Sequence, residues 1–180
     1  MPPRVYLTGF MASGKSTVGP LLADRLGYRF VDLDWLVAAR AGRSVADLFA
    51  EGEGVFRAVE AEALRETTSG EGLVVATGGG TLVQPGNLMA ARAAGPVVWL
   101  RASVPTVLAR VGDGAGRPLL LDGARLLAPA GREARVRALL AAREPFYAQA
   151  DLVIDADGPA DVVARDVAEA VAGWRGAVGQ

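Results

Sequence analysis

The chain contains no cysteine and no histidine, and a single lysine, Lys15, among its 19 basic residues. Without cysteine there is neither a disulfide framework nor a thiolate metal site, which suits a reducing compartment. Without histidine, imidazole triads and the common zinc sites are excluded, so a general base has to be a carboxylate, the lysine or water. Long apolar runs are missing as well, and no stretch approaches the roughly eighteen residues of a membrane span. Met1-Pro2-Pro3-Arg4 leads straight into a short apolar stretch broken by Gly9, unlike a signal peptide. A cytoplasmic location with no membrane partner is expected. Neither sign of charge is in surplus. The formal net charge of −1 lacks the basic excess that binding to a phosphate backbone needs, so nucleic acid is not an expected partner.

What is present reads as one domain over residues 1–180, since 51% hydrophobic content is ample for one buried core. Residues 4–8 form a short apolar run, a glycine-containing loop follows, and Val18, Leu21, Leu22 and Leu26 recur at helical spacing. The next apolar pair, Phe30-Val31, ends in Asp32-Leu33-Asp34. Helical pattern then resumes to Arg40, stops at Gly42 and restarts after the capping-like Ser44-Val45-Ala46-Asp47. A helix is predicted over 54–67. Leu73-Val74-Val75-Ala76 and Pro96-Val97-Val98-Trp99-Leu100 are compact apolar runs of the kind found inside parallel sheets, with a helical stretch over 88–94 between them. Further helical pattern covers 104–111, 132–148 and 160–174, and Leu152-Val153-Ile154 is a last strand. Residues 112–129 read as a mobile lid, opened by Gly112, Gly114 and Gly116, which can serve as hinges. About five strands alternating with helices predict an α/β protein: three layers, α/β/α, around a five-stranded parallel sheet with its ligand site at the carboxyl ends of the strands.

Gly9-Phe10-Met11-Ala12-Ser13-Gly14-Lys15-Ser16-Thr17 satisfies G-x-x-x-x-G-K-[ST] between the first strand and the first helix. There the glycines let the loop curl so that backbone N–H groups converge, and the helix N-terminus adds partial positive charge. Together these cradle the β- and γ-phosphates of a nucleotide. The phosphate-loop set is therefore Ala12, Ser13, Gly14, Lys15, Ser16 and Thr17. Lys15 supplies a mobile point charge, and Ser16 is placed to ligate Mg²⁺. The only asparagine is Asn87, so no N-K-x-D guanine-reading motif exists, and no acidic residue ends the 73–76 strand as in motor ATPases. Acidic residues follow the second strand instead. Asp32 and Asp34 alternate along what reads as an extended segment, which points them the same way and fits a P-loop kinase acting on a small molecule.

Gly52-Glu53-Gly54-Val55-Phe56-Arg57-Ala58-Val59-Glu60 puts Arg57 and Glu60 three apart on one helix face. Taken in order with Asp32-x-Asp34, Gly78-Gly79-Gly80, Arg117-Pro118-Leu119 and Arg143-Glu144-Pro145-Phe146-Tyr147, the set resembles the shikimate kinase family over about residues 5–171. The resemblance implies ATP and shikimate as substrates, Mg²⁺ as cofactor, a monomer, and transfer of the γ-phosphoryl group to a shikimate hydroxyl on the route to chorismate and the aromatic amino acids. It implies that Arg57 and Arg143 clamp the substrate carboxylate, a task suited to guanidinium forks, and that Gly79 makes a backbone contact to it. Asp34 matches the residue that holds the reacting hydroxyl and is the best candidate to accept its proton. Asp32 matches a residue near Mg²⁺, and Arg117 a lid arginine that closes over the phosphates. Arg110 matches an arginine packed on adenine, or else is an ordinary surface arginine of its helix.

Two departures stand out. The segment from Arg117-Pro118 to Arg143 is several residues longer than in the family, so Arg135 and Arg137 compete with Arg143 for the second clamp; Arg143 is preferred because x-Pro-x-Tyr follows it. Asp155-Ala156-Asp157-Gly158-Pro159 lacks the basic residue that some members place against the nucleotide. The readings in competition are a kinase for another polyol acid such as gluconate, and a catalytically silent nucleotide-binding regulator.

Overall fold

A computed structural model describes residues 1–112 and 128–174, together with the backbone of two short strands at 121–122 and 125–126. The main sheet holds β1 (Arg4–Thr8), β2 (Arg29–Asp32), β3 (Leu73–Ala76), β4 (Val97–Arg101) and β7 (Leu152–Asp155) in the order β2-β3-β1-β4-β7. Every neighbouring pair runs parallel. The runs at 73–76 and 97–100 are interior strands, as their unbroken apolar character predicts.

The pleat sorts the core into two layers. Val5 and Leu7 of β1, Val74 of β3 and Val98 and Leu100 of β4 pack with Val18 and Leu22 of α1 (Lys15–Leu26). Val163, Val167 and Val171 of α8 (Ala160–Gly173) close the same layer. On the other face, Tyr6, Val75 and Val97 pack with Leu33 and Val37 of α2 (Leu33–Ala41) and with Phe56, Ala63 and Leu64 of α4 (Glu53–Glu66). Leu48 of α3 (Val45–Glu51) and Ala91 of α5 (Asn87–Ala94) complete that side. The result is the expected α/β/α sandwich.

Helix boundaries follow local chemistry. Ser44 and Asp47 form a reciprocal capping box at the start of α3. Both α1 and α2 end on glycines in the left-handed conformation, Gly27 and Gly42. Two elements differ from expectation. Asp34 is not on an extended segment: β2 stops at Asp32, which caps α2 by accepting the Asp34 N–H, so Asp34 lies in the first helical turn. Within the segment read as a lid, β5 (Leu121–Asp122) and β6 (Arg125–Leu126) pair as an antiparallel hairpin. It precedes α7 (Pro129–Tyr147) and follows α6 (Val104–Val111). Four residues of strand carry no periodicity to read.

Candidate active site

All the predicted site residues that are described cluster at the carboxyl ends of the strands. The loop after β1 curls because Gly9 holds a φ of +143°, Ala12 one of 57° and Gly14 one of 100°. A Cβ on Gly9 would stand 2.6 Å from the Leu100 carbonyl oxygen and 3.0 Å from Ser13 Oγ, so only glycine fits there. The Lys15 ammonium donates to Gly9 O and Phe10 O, each at 2.9 Å, and lies 3.4 Å from Ser13 Oγ. Ser13 is buried beneath the loop, whereas Ala12, Gly14, Lys15, Ser16 and Thr17 line a cleft of about 640 Å³. The positive end of α1 opens into that cleft.

Asp32 and Asp34 enter the same cleft from β2 and α2. Ser16 Oγ donates to Asp32 Oδ2 at 2.9 Å, and the other Asp32 oxygen holds the Asp34 N–H at 3.0 Å. Asp34 opens onto the cleft, yet surrounding protein atoms desolvate its carboxyl and raise its pKa. The negative charges of Asp32 and Glu60 add to the rise, and Lys15 and Arg57 oppose it. Among the described residues no group of three or more acidic, histidine or cysteine side chains is placed to hold a metal ion. The hard oxygens of Ser16 and Asp32 beside a phosphate cradle therefore suit Mg²⁺, an ion that takes most of its ligands from phosphate and water.

The wall of the cleft beside Asp34 is built on the turn after β3. Both the N–H and the hydroxyl of Thr77 donate to Leu7 O, at 2.9 and 3.1 Å, which ties this turn to the end of β1. Each of the three following glycines then has a charged neighbour. A Cβ on Gly78 would lie 3.2 Å from Asp34 Oδ1 and 3.2 Å from Glu60 Oε1; one on Gly79, 3.2 Å from Arg143 Nη1; one on Gly80, 2.9 Å from Arg57 Nη2. The absence of side chains at 78–80 is what lets Asp34, Arg57 and Arg143 converge.

Arg57 does not line the cleft wall but backs the turn from α4. It donates to Glu60 Oε2 at 2.8 Å and to Glu53 Oε1 at 3.1 Å. Its guanidinium carbon sits 5.1 Å from the Phe56 ring centroid and 5.9 Å from that of Phe49. Burial would lower its pKa, but the two carboxylates outweigh burial and raise it. Glu60 is 1% exposed and also accepts from Thr81 Oγ1 at 2.6 Å.

Of the three arginines considered on α7, Arg143 lines the cleft, while Arg137 pairs with Glu133 on the exposed helix face at 2.7 Å. Arg110 reaches from α6 across the cleft edge and donates to four carbonyls: Ala12 and Ser13 at 3.4 Å, Ala156 at 2.8 Å and Gly158 at 3.3 Å. It thus joins the phosphate loop to the β7–α8 connection. In that connection Asp157, standing where a basic residue is missing, accepts the Ser103 N–H at 2.8 Å; this bond holds its carboxyl below the usual range. Arg117 lies outside the described residues.

Sequence reasoning assigned no role to Thr77, Gly78, Thr81 or the Tyr147 hydroxyl. Gly78 and Tyr147 stand inside quoted motifs. Thr77 and Thr81 had no signal beyond adjacency to the glycines.

A family model described as shikimate kinase matches residues 11–172. The shikimate kinase of Salinibacter ruber is 49% identical over 173 residues, covering 94% of this chain and 85% of that protein. A crystal structure of the shikimate kinase from Bacteroides thetaiotaomicron superposes with a TM-score of 0.86 at 30% identity, covering 94% of this chain and 98% of that one. The shikimate kinase of Acinetobacter baumannii, solved in complex with shikimate, gives a TM-score of 0.81 at 36% identity, covering 96% and 92%. With nearly the whole chain matched by sequence and by shape, and with the phosphate loop, paired aspartates and glycine turn in one cleft, the chain belongs to the shikimate kinase family.

Proposed function

We propose that this chain transfers the γ-phosphoryl group of ATP to a hydroxyl of shikimate, releasing shikimate 3-phosphate and ADP on the route to chorismate and the aromatic amino acids. The observation that carries the reading is the convergence of Asp34, Arg57 and Arg143 on one glycine turn beside the Lys15 loop. An anionic alcohol there has guanidinium groups for its carboxylate and a carboxylate for its hydroxyl.

In this scheme the N–H groups from Ala12 to Thr17 and the Lys15 ammonium hold the β- and γ-phosphates. For that, Lys15 exchanges its bonds to Gly9 O and Phe10 O for phosphate oxygens. Ser16 and Asp32 would hold Mg²⁺, which when bound neutralises phosphate charge. Arg57, pre-aligned by Glu53 and Glu60, and Arg143 fix the shikimate carboxylate as planar forks. Gly79 allows the ring close to the backbone. Asp34 orients the attacking hydroxyl and takes its proton, and its raised pKa improves it as an acceptor. Arg110 borders the nucleotide half of the cleft, and Arg117 closes over the phosphates from the 112–129 segment to exclude water. The enzyme acts as a cytoplasmic monomer.

A coupled assay of ADP release, run with shikimate and gluconate in parallel, tests this. Turnover with shikimate and none with gluconate is expected. Turnover with gluconate alone would assign the site to another polyol acid, and ATP binding without turnover of either would mark a silent nucleotide-binding protein.

A further inference from the structure

A turn of three glycines has no side chains of its own to anchor it, and glycine has the widest backbone freedom of any residue. At 78–80 two of the three carbonyls are held locally: Gly78 O accepts the Thr81 N–H at 3.1 Å and Gly80 O the Val83 N–H at 3.3 Å. The middle carbonyl, Gly79 O, accepts instead from the hydroxyl of Tyr147 at 2.7 Å, across 68 residues of sequence. Tyr147 is 2% exposed, and its ring lies 5.8 Å from that of Trp99 on β4, so the hydroxyl is carried by a ring that cannot swing away. Arg143 lies one helical turn before Tyr147 on α7, on the same face, with its Nη1 3.2 Å from where a Gly79 Cβ would be.

We propose that Tyr147 is a positioning residue for the acceptor substrate: its hydroxyl pins the Gly79 peptide and so sets the floor on which the Arg143 guanidinium lies. The inference rests on the assignment of Arg143 and Gly79 to shikimate. Burial raises the pKa of the phenol, against the charge of Arg143 and its hydrogen bond to the hydroxyl, and the phenol stays protonated as the donor to Gly79 O. Removing the hydroxyl leaves ring packing on Trp99 intact, but it frees the Gly79 peptide to rotate and takes a partner from Arg143. The affected quantity is then grip on the acceptor, since Gly9 O, the part of the Lys15 loop that borders Gly79, is held independently by the Lys15 ammonium.

The test is steady-state kinetics of Tyr147→Phe with each substrate varied in turn. Loss of one buried hydrogen bond is expected to raise the shikimate KM about two- to tenfold, with the ATP KM and kcat changed less than twofold. A double-mutant cycle with Arg143→Lys completes it. If the hydroxyl acts through the floor under Arg143, Tyr147→Phe changes the shikimate KM less than twofold in the Arg143→Lys background. An unaltered shikimate KM, an equal rise in the ATP KM, fully multiplicative effects in the cycle, or a variant without a cooperative thermal transition would each overturn the proposal. The last of these would show the hydroxyl holding the fold itself. Absence of shikimate turnover in the wild-type chain would overturn the functional reading instead, and is seen before any variant is made.

Discussion

Asp34 is held in a setting that disfavours its charge, with desolvation first and the nearby Asp32 and Glu60 second. A carboxylate so raised is a better proton acceptor for an alcohol, because its pKa moves toward the pH at which it works. The acidic limb of kcat/KM in a pH–rate profile is therefore expected above the ordinary aspartate value of about 3.9. The same shift acts on stability with a definite sign. The folded state holds the Asp34 proton more tightly than the unfolded chain does, so the contribution is fully present below the unfolded pKa and is lost as pH rises through the folded one. At pH 7 the ionised carboxylate opposes folding. Asp34→Asn should accordingly lower kcat about 10²- to 10⁴-fold while raising the thermal midpoint at pH 7. Wild-type turnover, or a variant that melts lower, would argue against this double role. Asp34 was reached in the sequence through the family resemblance, with the absence of histidine leaving a carboxylate as the base. Its setting was not, because D-x-D reads as period-two alternation, whereas the Asp32 side chain captures the Asp34 N–H and starts a helix.

Helices and strands were legible wherever apolar runs were bounded by glycines or caps, as in β3, β4 and α3. What escaped were contacts between elements that depend on an absent side chain. Gly19, inside α1, has no turn or cap to explain it in the sequence. In the structure it is where α1 meets β2: a Cβ there would come within 2.2 Å of Phe30 Cε2 and 2.8 Å of Phe30 Cδ2. An aromatic ring on a sheet edge cannot yield that far without moving the strand, and β2 delivers Asp32 to the cleft. Gly19→Ala improves helix propensity locally by roughly 1 kcal/mol. Overpacking is expected to win, with a net loss of about 1–2 kcal/mol. For a chain of this size the melting midpoint should fall by roughly 2–8 °C. A midpoint equal to or above that of the wild type would show that Phe30 re-packs freely.

At the scale of the molecule, the alternating pattern was enough to place the site at the carboxyl ends of the strands, though not to give the order β2-β3-β1-β4-β7, which depends on pairing partners far apart in sequence. That order puts β1 centrally, with its phosphate loop flanked by the Asp32–Asp34 corner and the glycine turn on the side of β3 and β2, and by the Ala156–Gly158 connection on the side of β4 and β7. In the proposed reading the cleft has a nucleotide half, resting on α1 and Arg110, and an acceptor half, resting on the turn at 78–80. Two halves on separate elements should be separable by mutation. Ligand that binds only the native state adds about 2.7 kcal/mol at one hundred times its Kd, so each substrate should raise the melting midpoint of the wild type by roughly 5–10 °C. Lys15→Ala is expected to abolish the shift from ATP with Mg²⁺ and to keep the shift from shikimate. Arg143→Ala should do the reverse, since truncating one clamp of a desolvated anion costs about 2–5 kcal/mol of binding. If Lys15→Ala lost both shifts, the halves would be coupled through the β1 loop and the acceptor turn, and the division of the cleft drawn from the strand order would be wrong.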